Sequence, residues 1–202
     1  MNTMQLDLRI QAKKLIQHLW MTWEKGFDLL SRLSSKHVFQ FGICKLMVKK
    51  YKGPNIPCSD GSWINNGEWI GELHINNDHI KHMLQSEQPD RVALQTARLG
   101  RKALQDISNA LDSYPELAHI TGLTGITMLH RGIVYGAGFE LHPLQQGWFK
   151  KVTTIYLRLL MKVMHPSGSA RVNNYEHKLY PMLLVFSKPA LYKKYPPQGK
   201  IK

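Results

Sequence analysis

The chain has 202 residues, of which 43% are hydrophobic, and a formal net charge of +13 from 27 Lys and Arg against 14 Asp and Glu. That length and apolar content suit a single globular domain and exclude wholesale disorder. Two cysteines, Cys44 and Cys58, exclude a disulfide framework and a metal site built on cysteine spacing.

The elements are read in chain order. From Leu6 to Leu33 the apolar residues Leu8, Leu15, Leu19, Trp20, Trp23, Phe27, Leu30 and Leu33 recur at helical spacing. Residues 1–34 are therefore expected to form an N-terminal helical extension, packed on the core or lying on an interface. Met1 to Arg9 lacks the apolar core of a secretory signal. Phe39 to Tyr51 is rich in β-formers and stops at Lys52-Gly53-Pro54, which predicts a strand. Turn signals at 59–62 and 65–67 flank Trp63-Ile64. With Trp69–Asn77 these predict a small antiparallel meander. Asn77-Asp78 is expected to cap a short helix to about Gln85.

Pro89-Asp90 opens a predicted long helix to about Tyr114, ended by Pro115. His119 to Met128 reads as a strand with a bend, 129–136 as one or two helical turns, and Gly138 to Leu141 as a short strand. Gln146 to Met164 reads as a helix stopped by Pro166 and Gly168. Met182 to Phe186 is the last strand candidate, and the chain is expected to be loose after Tyr195. The expected class is α+β: a mixed, partly antiparallel sheet of about five strands with helices on its faces. The expected organisation is an extension (1–34), a single domain (35–196) and a loose basic tail (197–202).

The charge is uneven. Up to Leu117 there are 15 Lys and Arg to 12 acids; beyond it there are 12 to two, Glu140 and Glu176. A basic C-terminal part favours anionic partners. On the predicted helix 146–164, Lys151, Thr154, Arg158, Lys162 and His165 fall on one face. Trp148, Val152, Ile155, Tyr156, Leu159, Leu160 and Val163 fall opposite. Such a helix either packs on the core with a solvated cationic face or meets an anionic membrane surface or a phosphate-bearing ligand. No run reaches the roughly 18 apolar residues of a membrane span. The expected location is the cytoplasm, peripheral to the inner membrane face if the helix is interfacial. No zinc knuckle, aromatic RNA-binding strand or helix-turn-helix is visible, so nucleic acid is not the expected partner.

The strand around Trp69–Asn77 concentrates the chemistry. Strand alternation puts Glu72, His74 and Asn76 on one side and Leu73 and Ile75 on the other. A carboxylate beside an imidazole holds the ring in one tautomer and raises its pKa, as a general base requires. The alternative is a hydrogen-bonded polar patch on an exposed sheet face. Glu72 and His74 are the catalytic candidates. Asn76, Asn77, Thr127, Arg131, Arg158, His165 and Arg171 are the candidates for binding an anion or ligand, with Arg131 and Arg171 suited to bidentate grip. No HExxH or comparable cluster occurs, so neither a metal nor another cofactor is expected.

Four stretches in order resemble the YkoP-like family of Bacillus-type bacteria. They are Gly71-Glu72-Leu73-His74-Ile75-Asn76-Asn77, Gly125-Ile126-Thr127-Met128-Leu129-His130-Arg131-Gly132, Gly138-Phe139-Glu140, and His165-Pro166-x-Gly168-x-x-Arg171. The ending Ser187-Lys188…Leu191…Tyr195 is also similar, so the likeness spans about Phe27 to Tyr195. Similar domains are appended to polysaccharide deacetylases. The resemblance therefore implies a bacterial protein tied to envelope polysaccharides, but it brings no reaction, and the chain carries no deacetylase metal motif. Two functions are expected from different classes. One is an accessory or binding module for an anionic or glycan-related ligand at the membrane surface. The other is a transferase acting on a phosphorylated or lipid-linked glycan, with Glu72 and His74 as base and orienter.

Overall fold

A computed structural model describes residues 35–76, 79–80, 82–83, 88–128, 136–164 and 179–198. The expected helical extension 1–34 lies outside them, as does most of the 129–136 segment. Strands β1 (His37–Phe41), β2 (Cys44–Lys50), β5 (Trp69–Ile75), β6 (Gly122–Thr127), β7 (Glu140–Pro143) and β8 (Met182–Ser187) form one sheet in the order β1-β2-β5-β6-β8-β7. Strands β3 (Ile56–Pro57) and β4 (Trp63–Ile64) form a separate two-stranded sheet. Three helices accompany the sheets among the described residues: α1 (Pro89–Ser113), α2 (Trp148–Met164) and α3 (Lys188–Lys194). The class is the expected α+β, with six strands in the main sheet rather than five.

Three differences have local causes. The predicted strand 39–51 is a hairpin, because Gly42 adopts φ +53° and reverses the chain between Phe41 and Cys44. That left-handed conformation suits glycine and the two-residue turn of a twisted hairpin. Trp63-Ile64 does not join the meander; it pairs with Ile56-Pro57 instead. Residues 188–194 form α3, which the sequence reading left out. Its signals are ordinary ones: Ser187 Oγ accepts the Ala190 N–H at 3.1 Å, and Pro189 occupies the first turn. Pro196 and Gln198, beyond Tyr195, are also tied down. Gln105 Nε2 donates to the Pro196 carbonyl at 2.9 Å and the Gln198 N–H donates to Asn109 Oδ1 at 2.8 Å.

β5 and β6 run parallel. Parallel neighbours need a crossover, and α1 lies within it. Strand alternation then gives the sheet two unlike faces. On the helix side, Leu46, Val48, Leu123 and Phe186 meet Leu104, Ile107 and Leu111 of α1 and Leu191 of α3 in one buried cluster. Burying each such side chain contributes roughly 1.5–3 kcal/mol. Gly71 lies on this face, where a Cβ would collide with Leu46 Cδ1 and come within 2.9 Å of Leu123 Cδ2.

The other face is covered at one end by the β3–β4 hairpin. Ile56, Cys58 and Ile64 pack there on Ile70 and Val185. Gly122 allows this approach, since its Cβ would sit 2.7 Å from Ile64 Cδ1. Polar ties fasten the hairpin's loop. Ser187 Oγ donates to Asp60 Oδ2 at 2.5 Å, and Ser59 donates its N–H to Glu140 at 2.9 and 3.0 Å and its hydroxyl at 2.8 Å.

Candidate functional site

The hairpin-side face continues past Ile70 to Glu72 and His74. β2 supplies Lys45 opposite His74, Met47 opposite Glu72 and Lys49 opposite Ile70. β6 supplies Thr124 beside Glu72. Met47 and Thr124 are each 2% exposed, whereas the side chains of Glu72 and His74 are 25% and 34% exposed. The carboxylate and imidazole thus stand over a closed floor and remain open to solvent above.

His74 Nε2 and Glu72 Oε1 are 2.8 Å apart, and Lys49 Nζ pairs with Glu72 Oε2. Burial raises the Glu72 pKa, but the His74 hydrogen bond and the Lys49 charge outweigh it and hold the carboxyl at about 2. Glu72 is therefore an anion at neutral pH. It accepts from Nε2–H, which fixes the tautomer and leaves Nδ1 of a neutral His74 as the basic nitrogen. In this geometry the orienting role falls to Glu72 and any proton exchange falls to His74.

A second pair of the same spacing stands on the same face. His142 Nε2 lies 3.5 Å from Glu140 Oε2. Its register partners on β8 are Leu183 and Val185. Two strands separate β7 from β5, so the pairs stand on the order of 14 Å apart at the usual strand spacing. Among the described residues no group of three or more His, Cys, Asp or Glu side chains is placed to hold a metal.

The remaining candidates divide. Asn76 Oδ1 accepts the His79 N–H at 3.3 Å, and Ile80 N–H reaches the Asn76 carbonyl. Asn76 therefore makes capping contacts, and the expected cap Asn77-Asp78 lies outside the described residues. Thr127 is three residues beyond Thr124, so strand alternation puts it on the helix side, away from His74. Arg158 belongs to α2 and directs Nε and Nη2 toward the Leu179 carbonyl at 3.4 Å. Asn77, Arg131, His165 and Arg171 lie outside the described residues, and with them the expected meeting of His74 and the two guanidinium groups.

Sequence reasoning missed Lys49, the cation paired with Glu72. Its signal was the alternation Lys45-x-Met47-x-Lys49, which became meaningful only once β2 was paired with β5. The Glu140-x-His142 pair repeats Glu72-x-His74 and was legible as a repeated spacing.

The α2 helix turns its apolar residues outward. Trp148, Val152, Ile155 and Leu159 are 76%, 53%, 60% and 43% exposed, and Phe149 is 52% exposed. They recur every three or four residues and form one outward stripe. At about 100° per residue, Lys151 and Lys162 border it along one edge, rather than standing on the opposite face as expected. Thr154, on the opposite arc, bonds the Lys150 carbonyl at 2.6 Å. Gln146, Gly147, Lys150, Lys151, Thr154 and Ile155 line an open cleft of about 350 Å³ at the start of the helix. No helix among the described residues is long and apolar enough to cross a membrane.

Comparison with known proteins places these features in a family. The uncharacterised protein YkoP of Bacillus subtilis (strain 168) is 26% identical over 141 residues, covering 68% of this chain and 76% of that protein. No solved structure matches. The YkoP domain matches residues 13–195, a span that takes in the sheet, both Glu-x-His pairs and all three helices, and the chain belongs to the YkoP domain family.

Proposed function

We propose that the protein is a membrane-surface module of the bacterial envelope, docking on anionic lipid through α2 and presenting the hairpin-side sheet face to an anionic or glycan-related ligand. The outward stripe Trp148-Val152-Ile155-Leu159 carries this reading. An interfacial helix buries such a stripe at the headgroup boundary while flanking lysines meet lipid phosphates. The chain's cationic surplus beyond Leu117 adds long-range attraction. The envelope setting rests on the resemblance described above.

Flotation of the full chain with phosphatidylglycerol-containing and phosphatidylcholine vesicles tests it. Binding to the anionic vesicles only, lost in I155D/L159D with an unchanged unfolding midpoint, is expected. Indifference to anionic lipid, together with no binding of glycans or nucleotide sugars, removes the proposal.

A second reading is favoured by the 2.8 Å Glu72–His74 pair. It is transfer to or from a phosphorylated or lipid-linked glycan, with His74 as base and Glu72 as its orienter. Phosphorus-31 NMR of nucleotide sugars incubated with the full chain and with H74N tests this reading. Turnover equal in the two, or absent from both, argues for the binding module.

A further inference from the structure

The opposite face of the sheet carries an unassigned cluster. At the end where β2 finishes and β5 begins, Lys50 and Trp69 are register partners on the helix side. Lys36 Nζ lies 5.2 Å and Lys50 Nζ 5.7 Å from the Trp69 ring centroid. The His119 ring meets Trp69 edge-on at 5.1 Å. His37 opens β1 beside them, opposite Val48. Lys188 donates to the Ala118 carbonyl at 2.7 Å, next to His119.

The Lys36 and Lys50 ammonium groups are cationic without compensation. Neither Lys36 nor Lys50 has a carboxylate within ion-pairing distance among the described residues. Two nearby acids are otherwise engaged. Glu68 accepts from the Asn65 N–H and Nδ2, both at 3.0 Å. Asp112 acts on Lys188 and Tyr192. Glu116 lies on the 3-10 turn Pro115–Leu117. Burial, followed by the charges of Lys36, His37 and Lys188, holds the His119 pKa below its usual range. His119 Nε2 is also buried with no hydrogen-bond partner among the described residues. Gathering like charges around a half-buried aromatic ring is costly, and a bound anion relieves the cost. Contact with the Trp69 ring holds each ammonium group in place beforehand.

We infer that Lys36 and Lys50, gathered on Trp69 and backed by His37 and His119, bind a phosphate group. Two lysines supply compact point charges suited to phosphate rather than to a planar bidentate grip. The inference does not rest on α2 or on the Glu72–His74 pair, which stand elsewhere on the fold.

Titration of the full chain with sodium phosphate, against sodium chloride at equal ionic strength, tests it by NMR of the Trp69 indole and His119 imidazole. A saturable shift with phosphate alone is expected, weakened at least tenfold in K36A/K50A. Lys36 and Lys50 are exposed, so the variant's unfolding midpoint should stay put. A response no different from that to chloride, or equal affinity in the variant, overturns the site. Phosphatidylglycerol vesicles identify the source of the phosphate. Loss of vesicle binding in K36A/K50A points to a lipid headgroup, whereas unchanged vesicle binding with lost phosphate binding points to a free phosphorylated ligand.

Discussion

The helices α1 and α2 are both amphipathic, yet they treat their apolar faces in opposite ways. α1 buries Leu104, Ile107, Ala110 and Leu111 against the sheet, and Ala103 against Ile43 and Cys44. α2 turns Trp148, Val152, Ile155 and Leu159 outward. Helical periodicity locates an apolar stripe but carries no information about what covers it. In α1 the covering surface is dictated by the crossover between parallel strands β5 and β6. No such constraint fixes α2.

The largest expected effect lies on the buried side of this contrast. Ile107 is fully buried, and Ile107→Ala is expected to cost about 2–5 kcal/mol in urea unfolding. A cost below about 1 kcal/mol would mean that the α1 face collapses around the gap and is not tightly packed.

The next effect concerns the half-covered strand face between these extremes. The Glu72 pKa is depressed in the fold to about 2 from an ordinary 4.5. Its contribution is therefore complete above about pH 4.5 and is lost as the pH falls toward 2. E72Q is expected to remove that part of the acid destabilisation, on the order of 3 kcal/mol at most. Parallel acid-unfolding curves for the two proteins would show that the Lys49 and His74 contacts contribute little to folding.

Gly122→Ala sharpens the comparison at the covered end of the same face. The new Cβ would meet the Phe186 carbonyl oxygen at 2.9 Å as well as Ile64 Cδ1 at 2.7 Å. Backbone oxygen gives way poorly, and a loss of about 1–3 kcal/mol is expected in thermal or urea unfolding. A neutral result would mean that the β3–β4 hairpin sits loosely on the sheet.

The smallest effect belongs to α2. Ile155→Ala is expected to change stability by no more than about 0.5 kcal/mol, because the side chain is already exposed. A loss comparable to that of Ile107→Ala would break the contrast and make the α2 stripe part of a core.

Much of the fold was legible because the local signals agree with the global arrangement. Pro89 and Pro115 bracket α1, and alternation at Glu72-x-His74 correctly put both side chains on one face. What escaped the sequence depended on pairing. The turn at Gly42 is a single glycine within a run of β-formers. The role of Lys49 requires the β2–β5 register, and the separation of Thr127 from His74 requires the exact strand phase in β6. The α3 helix was legible in Ser187, Pro189 and the last-turn lysines, but it is short enough to be mistaken for a tail.

The two thiols give the fold separate internal clocks. Burial pushes the Cys44 pKa up to about 11 and also raises that of Cys58, so neither is a ready nucleophile in the native state. Cys44 packs with Ala103 of α1, while Cys58 belongs to the turn of the β3–β4 hairpin and is buried with Ile70 and Val185. Alkylation of Cys58 ahead of Cys44 would time a breathing motion of the hairpin alone, and simultaneous alkylation would time the opening of the whole sheet.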